Sequence, residues 1–508
     1  MRRSRTADLR WTTSSSVGGV RHPHDVDLPL VVDRGAGISL VVQVADGIRR
    51  AIESGALRGG DVLPSTRTLA ERVGVSRGTV VAAFDQLHGE GWLVADQGAT
   101  RVDPGLADHP VPGRATRPTS TSSAGPGRRV DASVADLRPG QPDVSGIVDP
   151  TWRAAWREAA AGAGTQHPSQ GSAALRAALA EHVRVARGTA VDPDAVVVTA
   201  GVREGLQLVL TTLSRRAGRP LRVVVEDPGY PALRRVVAAL GHEVRPVPVD
   251  GDGLSVELLD DEPGADVVLV TPGHQYPLGG AMPVARRLAL VGWARAHGAV
   301  VVEDDYDGEL RFTGEPVPAL AALDRRGGED DGVVVTLGSF AKVLAPGIGV
   351  GHALVPDGLR PDVLALRGDL GSPVPATVQD ALAQYLDAGA LRRRTGRMRR
   401  RYRARRDLAV AALSDLPEAR LRPMDGGLHG VVELLGADAE REHAVVDAAA
   451  RAGVLVAGMG DYWADPGGLV VSADLPRHGL VIGLGSPHLE RGLRRLRPLL
   501  AGAGSSAR

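Results

Sequence analysis

Cysteine, lysine, net charge and long apolar runs are absent or scarce in this sequence of 508 residues. The absence of cysteine excludes disulfides, thiolate metal sites and cysteine nucleophiles. A formal net charge of +0 gives no global field toward nucleic acid, so any such binding needs a local patch. No segment has the apolar length that a bilayer crossing requires.

The first residues, "MRRSRTADLRW", contain paired arginines without an apolar run behind them. This pattern excludes a secretory signal peptide and a twin-arginine signal. We therefore expect a cytoplasmic protein that makes no use of a membrane.

A change in composition indicates how the chain is divided. Residues 104–130 are dominated by Pro, Gly, Ser and Thr, which predicts a flexible linker. Residues 1–33 are predicted to form a disordered arm. A small unit, residues 34–103, and a large one, residues 131–505, remain as folded domains, in keeping with the length of the chain.

The small unit has the pattern of a helix-turn-helix. "LVVQVADGIRRAIESGAL" has helical periodicity, and two shorter helices follow it, with Ser65 and Ser76 as their expected N-caps. Val80, Phe84 and Leu87 fall on one face of the second short helix and should pack inward. Its first turn is then exposed, where a recognition helix meets base edges.

A hairpin-like stretch, "WLVADQGATRV", comes next and is predicted to form a wing around a Gly turn. The order of a helix, a helix-turn-helix and a wing favours DNA binding over a purely structural role. The segment from "GGDVLPSTRTLAERVGVSRGTV" to the wing resembles the winged-helix domain of GntR-type bacterial regulators. The resemblance implies contacts with double-stranded operator DNA from Ser65, Thr66, Arg67, Ser76, Arg77, Thr79 and Arg101, with Gly98 also in the wing.

The large unit alternates helical segments with short, almost wholly apolar runs that end in Gly, Asp or Pro. Continuous apolar strands between helices imply an α/β fold with a mostly parallel sheet buried on both faces. Ligands of such sheets bind beyond the carboxyl ends of the strands. The six runs are "AVVVTAG", "RVVVEDPGY", "DVVLVTPG", "GAVVVEDDY", "GVVVTLGS" and "VGHALVP".

Lys342, in "GSFAKVLAPG", is the only lysine, and the other 59 basic side chains are arginine. Arginine stays protonated, whereas a lysine with a lowered pKa can condense with an aldehyde to form a Schiff base. Codon bias in a GC-rich genome explains a single lysine equally well. The neighbouring residues must therefore decide between the two explanations.

Those neighbours match what pyridoxal 5'-phosphate requires. Its ring nitrogen needs a carboxylate, which Asp304 supplies at the end of a buried strand. Tyr306, two residues later, is placed by strand alternation to reach the phenolic oxygen of the cofactor. Tyr230, in "EDPGYP", is a candidate to stack on the ring.

The phosphate needs backbone donors at the start of a helix, and Val202 and Arg203 are placed to supply them after a Gly turn. Ser339 adds a hydroxyl. Each feature alone has an ordinary structural explanation, such as a solvated acidic run or a simple turn. Their joint occurrence, with the sole lysine in position, favours a cofactor site.

Residues 131–505 resemble the fold-type I aminotransferases, with a small C-terminal subdomain from about residue 400. The whole chain resembles the MocR group, which fuses such a domain to a GntR-type winged helix. The shared stretches are "RPGQPD", "VVVTAGVREGL", "EDPGYP", "VTPGHQYPLGGAM", "EDDYDGELRF" and "LGSFAKVLAPG".

This resemblance implies Lys342 as the Schiff-base residue, Asp304 at the pyridine nitrogen, Tyr306 at the phenolic oxygen and Tyr230 on the ring. Tyr276 falls where related enzymes place a second contact to that oxygen. The resemblance also implies a homodimer, because fold-type I active sites lie at a dimer interface.

Three departures from the family pattern concern the same site. Gly349 stands where an arginine usually binds the phosphate, and Ala341 replaces a serine. The stretch "GLVIGLGSP" lacks the arginine that binds a substrate α-carboxylate, and Arg477 lies only nearby. Loss of a bidentate clamp weakens substrate binding, so efficient transamination is not expected.

The stretch from Leu391 to Asp407, "LRRRTGRMRRRYRARRD", is the most basic of the chain. A solvated helix face is the favoured interpretation, and an auxiliary DNA contact is the alternative.

Together these features predict a transcriptional regulator that senses pyridoxal phosphate, an amine or an amino acid through its aminotransferase-like domain. A working aminotransferase with an appended DNA-binding module is one alternative. A repressor whose large domain is a cofactor-free dimerisation scaffold is another.

Overall fold

The computed structural model describes twelve stretches of the chain. The predicted arm apart from residues 30 and 32, the predicted linker after residue 104, and Gly98 lie outside them. The chain divides into two compact units, Met1–Arg128 and Arg129–Arg508. The described stretches are residues 30, 32, 39–53, 57–96, 99–104, 134–162, 164, 166–262, 264–312, 319–324, 332–464 and 475–501.

The first unit contains three helices and an antiparallel hairpin. Val80, Phe84 and Leu87 are buried in its core, as predicted. Ser65 and Ser76 cap the second and third helices through hydrogen bonds from Thr68 N and Thr79 N. The elements are α1 (Leu40–Glu53), α2 (Thr66–Val73), α3 (Arg77–Gly89), β1 (Leu93–Asp96) and β2 (Ala99–Val102).

The second unit alternates helices and strands. Its helices are α4 (Pro150–Ala161), α5 (Ala173–Arg187), α6 (Val202–Ala217), α7 (Pro231–Ala239), α8 (Val284–His297), α9 (Leu320–Asp324), α10 (Arg360–Leu370), α11 (Ala376–Asp387), α12 (Ala390–Leu413), α13 (Ala439–Arg451) and α14 (Leu489–Ala501). Its strands are β3 (Ala135–Asp136), β4 (Val196–Thr199), β5 (Arg222–Asp227), β6 (Glu243–Asp250), β7 (Gly253–Leu254), β8 (Val267–Val270), β9 (Val300–Asp305), β10 (Val334–Ser339), β11 (Gly351–Leu354), β12 (Ala419–Leu421), β13 (His429–Leu434), β14 (Val454–Leu455), β15 (Ala457–Gly458) and β16 (Gly479–Gly483).

An eight-stranded sheet in the order β4-β11-β10-β9-β8-β5-β6-β7 forms the centre of this unit. The pairings β10–β9, β9–β8, β8–β5 and β5–β6 are parallel, and β11 is antiparallel to both of its neighbours. Apolar side chains of β4, β5, β8, β9 and β10 are buried on both faces. All six strands expected from the sequence are present, and the α/β fold with a mostly parallel sheet is confirmed.

β6 has a sequence, "EVRPVPVD", that the search for apolar runs missed. Pro246 and Pro248 lack backbone donors and are two residues apart, so both face the same side of the strand. They pair in register with Val225 and Asp227 of β5, and only the end of β6 pairs with β7. Proline is tolerated here because β6 lies near the edge of the sheet.

A second core lies toward the C-terminus. A four-stranded antiparallel sheet, β12-β13-β16-β15, packs with α12, α13 and α14 around side chains such as Val432, Ile482 and Leu496. None of the described helices combines the length with the apolar character that a bilayer crossing requires.

Candidate functional site

The carboxyl ends of the parallel strands meet at one edge of the central sheet. β4 ends at Thr199, β5 at Asp227, β9 at Asp305 and β10 at Ser339. The predicted cofactor residues follow these ends, so the topology brings them to a common edge.

Lys342 lies in a turn three residues after β10 and is half-buried. A Cβ built on Gly140 would lie 3.7 Å from its Nζ, so the "RPGQPD" segment passes beside the amine. The charge of Lys342 also acts on two buried groups, Asp304 and His429. The sole lysine therefore lies at the edge of the sheet where the strands end.

Asp304 is 4% exposed and is the penultimate residue of β9. Its Oδ1 has no hydrogen-bond partner among the residues that the structure describes. Burial, and then the charge of Asp305, raise the pKa of Asp304 well above its ordinary value, and the Lys342 charge opposes this rise. A buried carboxylate without a partner is costly, which indicates a site built for an additional cation or hydrogen-bond donor.

The adjacent Asp305 behaves differently. Its Oδ2 lies 2.7 Å from Nε of the buried Arg187, and the Arg187 guanidinium also donates to the Gly308 carbonyl at 3.2 Å. Asp305 is thus part of a buried ion pair that supports the strand end. Of the two neighbouring carboxylates, Asp304 is the one available to a ligand.

Aromatic residues are only 3% of the chain, yet four of its six tyrosines meet at this edge. The Tyr276 ring packs edge-on against Tyr230 at 5.1 Å and Tyr306 at 5.5 Å between centroids, and lies 5.6 Å from Tyr462. Burial raises the pKa of Tyr276 and of Tyr306 well above the ordinary value, so both hydroxyls remain protonated donors. The cluster therefore forms a buried aromatic surface beyond the ends of the strands.

Tyr306 is fixed by a histidine and an aspartate. Its hydroxyl donates to the carbonyl oxygen of His274 at 3.0 Å, and His274 Nδ1 lies 2.8 Å from that hydroxyl oxygen. The same Nδ1 lies 2.8 Å from Oδ2 of the buried Asp307. β9 ends at Asp305, so the turn after the strand, rather than strand alternation, positions Tyr306.

His274, Asp307 and His429 offer ligand atoms within 4.8 Å of one another, which is the spacing of a metal site. Hydrogen bonds account for them without a cation. His274 Nδ1 contacts Asp307, and His429 Nε2 lies 2.9 Å from the Pro277 carbonyl. Burial, then the His274 charge, lower the pKa of His429 to about 3, so it is neutral. We interpret the trio as support for Tyr306.

A cradle for an anion lies at the start of α6. Gly201 precedes the helix at φ 96°, and no side chain of the described residues caps its first turn, Val202 and Arg203. Gly351 pairs with Ser339, and a Cβ on Gly351 would lie 2.8 Å from the Gly201 Cα. Ser339 Oγ accepts from Ala341 N at 3.1 Å and keeps its proton for a ligand. These residues together fit a phosphate.

Glu226 is a buried carboxyl that the sequence did not single out. Its Oε2 accepts from the Thr271 hydroxyl at 2.5 Å, and its Oε1 has no partner within the described ranges. Burial raises the pKa of Glu226 to about 7. The side chain lines a cavity of 20 Å³ with Tyr230 and Arg234.

The departures from the family pattern are visible in the structure. Gly349 has φ 61°, a left-handed conformation that strains other residues, and a Cβ there would meet nothing within 4 Å. Arg477 places its guanidinium 4.8 Å from the centroid of the Trp463 ring. In β16, Val481 is buried in the aromatic cluster with Tyr276 and Tyr462. The stretch expected to bind a carboxylate therefore contributes an apolar side chain to the cluster.

Six of the seven predicted DNA-contacting residues lie at the N-termini of α2 and α3, and the seventh, Arg101, lies in β2. Arg77 Nε donates to Thr66 Oγ1 at 3.4 Å, which links the two helix starts. Arg67 is highly exposed and lies 3.2 Å from Glu71. Ser76 Oγ is 2.8 Å from Thr79 Oγ1.

Two of the predicted DNA contacts have a structural task as well. The Ser65 and Ser76 side-chain oxygens accept the capping hydrogen bonds, and Ser65 also lies 2.8 Å from Thr68 Oγ1. Arg101, in β2, donates to the Gly60 carbonyl at 3.3 Å. Arg77 and Arg67 are thus the more exposed cations of this face.

Sequence reasoning missed four residues of the cofactor edge. His274 and Asp307 lie inside quoted motifs, "HQYPLG" and "EDDYDGEL", but only the fold brings them to Tyr306. His429 and Tyr462 come from the C-terminal part of the chain, and no local signal marked them.

Two family models match the chain. "Bacterial regulatory proteins, gntR family" matches residues 40–102, and "Aminotransferase class I and II" matches residues 134–462.

Three known proteins are similar over most of the chain. The HTH-type pyridoxine biosynthesis transcriptional regulator PdxR of Corynebacterium glutamicum is 43% identical, over 92% of this chain and 96% of its own. The probable rhizopine catabolism regulatory protein MocR of Rhizobium meliloti is 32% identical, over 75% and 78%. The solved structure of LysN, an α-aminoadipate aminotransferase of Thermus thermophilus complexed with N-(5'-phosphopyridoxyl)-L-leucine, is 26% identical, covers 73% of this chain and 93% of its own, and has a TM-score of 0.62.

Proposed function

The chain belongs to the MocR-type transcriptional regulators, with a gntR-family helix-turn-helix and a fold-type I aminotransferase domain, and we propose that it binds pyridoxal 5'-phosphate as its sensing group. The observation on which this proposal rests is the buried Asp304 carboxylate. Its Oδ1 has no hydrogen-bond partner in the described part of the chain, and the carboxylate lies within the electrostatic reach of the only lysine.

Each part of the cofactor has a group of this chain to hold it. Asp304 holds a proton at the ring nitrogen, and the cationic ring in turn stabilises the buried carboxylate. Tyr306 and Tyr276 would donate to the phenolic oxygen, since burial keeps both hydroxyls protonated. The Tyr306 proton would then turn to the cofactor from the His274 carbonyl, to which it donates here. The backbone at Val202 and Arg203, with the Ser339 hydroxyl, holds the phosphate.

The remaining groups orient and shield the site. Tyr230 covers one face of the ring, and His274 with Asp307 fixes the Tyr306 hydroxyl. Lys342 provides the covalent attachment. When bound, pyridoxal phosphate supplies an aldehyde that joins amines covalently.

The effector is pyridoxal phosphate itself, or an amine or amino acid that takes the place of Lys342 on it. The name of the Corynebacterium relative, a regulator of pyridoxine biosynthesis, supports the cofactor itself. Val481, an apolar residue in the stretch where related enzymes place a carboxylate-binding arginine, supports a ligand without a clamped carboxylate. We further propose a cytoplasmic homodimer that binds double-stranded operator DNA, with two helix-turn-helix units reading repeated half-sites.

An absorbance titration tests the cofactor proposal. The parent protein is expected to develop an imine band displaced from the absorbance of free pyridoxal phosphate. Lys342→Ala is expected to show only the absorbance of the free cofactor, because alanine has no amine to join the aldehyde. Lys342→Arg, which keeps the charge without the nucleophile, should resemble the alanine variant.

The same titration separates the alternatives. A parent protein without a band would leave only the cofactor-free scaffold. Added amino donor and keto acid would identify an aminotransferase through stoichiometric keto-acid product over many turnovers. A change in the band without turnover would support effector sensing.

A second prediction concerns the helix-turn-helix. Arg77→Gln is expected to weaken binding about 10- to 100-fold on the duplex that the parent protein selects from a random-sequence pool, since one base contact is lost. Fluorescence anisotropy measures the affinity. Arg50→Gln, an exposed arginine of α1, is the matched control and should bind normally. Equal losses for both variants would contradict a specific role for Arg77.

A further inference from the structure

Positive charge is distributed unevenly between the parts of this DNA-binding protein. Residues 34–103, which include the helix-turn-helix, contain eight arginines and eight acidic residues, so the unit that reads the operator has no net attraction for phosphates. By contrast, α12 contains ten arginines and a single acidic residue, Asp407. Non-specific affinity for DNA comes from neutralising phosphates with Lys and Arg, and α12 is the densest source of such charge.

One group of arginines on α12 maintains the fold. Arg394 is 2% exposed and donates to the carbonyls of Val343, Ser145 and Asp143. Arg405 lies 2.8 Å from the Asp143 carboxylate. The charges or hydrogen-bond donors of these side chains thus have partners within the unit. A structural role therefore accounts for part of the arginine content of α12 without a ligand.

A second group forms an exposed stripe, which we call the arginine stripe: Arg393, Arg397 and Arg400. Positions i, i+4 and i+7 share one face of a helix, and all three side chains are exposed. Arg393 donates only to the backbone carbonyl of Ala388, and Arg397 lies 3.9 Å from the Asp149 carboxylate. The Arg400 guanidinium has no hydrogen bond or ion pair with any residue in the described ranges. The stripe therefore retains most of its positive charge.

The chemistry of these side chains suits phosphate. A guanidinium offers several donors in a planar fork that matches phosphate oxygens. The three residues extend over about 10 Å of helix, at a rise of 1.5 Å per residue, so they can follow a charged backbone rather than a single ion. A helix face that is only exposed to water does not require three arginines without carboxylate partners in close contact on the same side.

We propose that the arginine stripe of α12 is a second DNA-binding surface, which contacts the phosphate backbone of DNA outside the sequence read by the helix-turn-helix. It adds affinity without sequence preference, because phosphate contacts position a protein and base contacts give specificity. The interaction supplies the electrostatic attraction that residues 34–103 lack. It does not depend on the cofactor proposal.

The test uses the full-length protein and a fluorescein-labelled duplex of about 60 base pairs and mixed sequence. Affinity is measured by anisotropy between about 50 and 200 mM KCl. The triple variant Arg393→Gln, Arg397→Gln, Arg400→Gln is expected to bind about tenfold or more weakly at the lower salt. The slope of log K against log salt should fall by about 0.9 for each lost phosphate contact.

A matched triple variant removes the same charge elsewhere in the unit. Arg215→Gln, Arg216→Gln and Arg235→Gln change exposed arginines of α6 and α7. This control should keep the parent slope. Sedimentation and thermal unfolding of each variant should match those of the parent, since the stripe residues make few contacts within the protein.

Three outcomes would overturn the proposal. The stripe variant could keep the affinity and the salt slope of the parent, which would leave a solvated helix face. The control variant could lose as much as the stripe variant, which would indicate a general effect of net charge. A change in oligomeric state that accompanies the loss would assign the stripe to an interface between copies of this chain.

Discussion

Asp304→Asn is expected to weaken the binding of pyridoxal phosphate by about a hundredfold or more. The buried carboxylate forms an ion pair with the protonated ring nitrogen of the cofactor, and removal of one partner of a buried pair costs about 3–5 kcal/mol. Asparagine has the same shape but no charge, so it cannot hold that proton. Titration of the parent and the variant with pyridoxal phosphate, followed by absorbance and calorimetry, gives the two affinities.

The same substitution should act in the opposite direction on the cofactor-free protein. Asp304 is buried and lacks a partner for Oδ1 among the described residues, so its charge destabilises the empty fold. Asp304→Asn should therefore raise the unfolding temperature of the empty protein above neutral pH. It should also abolish the further rise that the cofactor gives the parent. A variant that is less stable when empty, yet binds the cofactor as tightly as the parent, would contradict this role.

Glu226→Gln is expected to change how stability depends on pH. Burial raises the pKa of Glu226 in the folded protein to about 7, whereas its ordinary value is 4.5. The folded state then binds more protons than the unfolded state between these two values. The contribution of Glu226 to the free energy of unfolding is accordingly greatest below pH 4.5. It falls as the pH rises toward 7, by about 3 kcal/mol.

Glutamine at position 226 does not ionise, so the decrease in unfolding free energy with rising pH that Glu226 causes should be absent. The unfolding free energy of the cofactor-free variant should be flatter than that of the parent between about pH 5 and pH 7, and higher at about pH 8. Urea denaturation at each pH measures the difference. Asp304, whose pKa is raised too, continues to contribute to the slope in both proteins. Glu158→Gln, an exposed residue of α4, is the control and should follow the parent curve. Parallel curves for Glu226→Gln and the parent would refute the prediction.

Features that depend on neighbouring residues in the chain could be predicted from the sequence. Ser65 and Ser76 cap helices because a hydroxyl at that position meets backbone donors two or three residues later. The six apolar strands follow from continuous burial on both faces. The approach of Lys342 to Asp304 follows from parallel topology, since consecutive strands β9 and β10 end at the same edge.

Features that depend on distant parts of the chain could not be predicted from the sequence. Tyr306 depends on His274, 32 residues earlier, and no periodicity connects them. Tyr462 and His429 reach the aromatic cluster only after the C-terminal part has folded against the sheet. The ion pair of Asp305 with Arg187, which leaves Asp304 available, also requires the fold, because the two aspartates are indistinguishable as letters.

The position of Lys342 beside Gly140 has a practical consequence. Because the chain has one lysine, a reagent that acylates side-chain amines can modify only this position, apart from the N-terminus. A single increase in mass would then show that the Lys342 amine is accessible to the reagent. A small molecule that prevents this increase would be identified as a ligand that covers Lys342. A compound library could be screened in this way without knowledge of the operator.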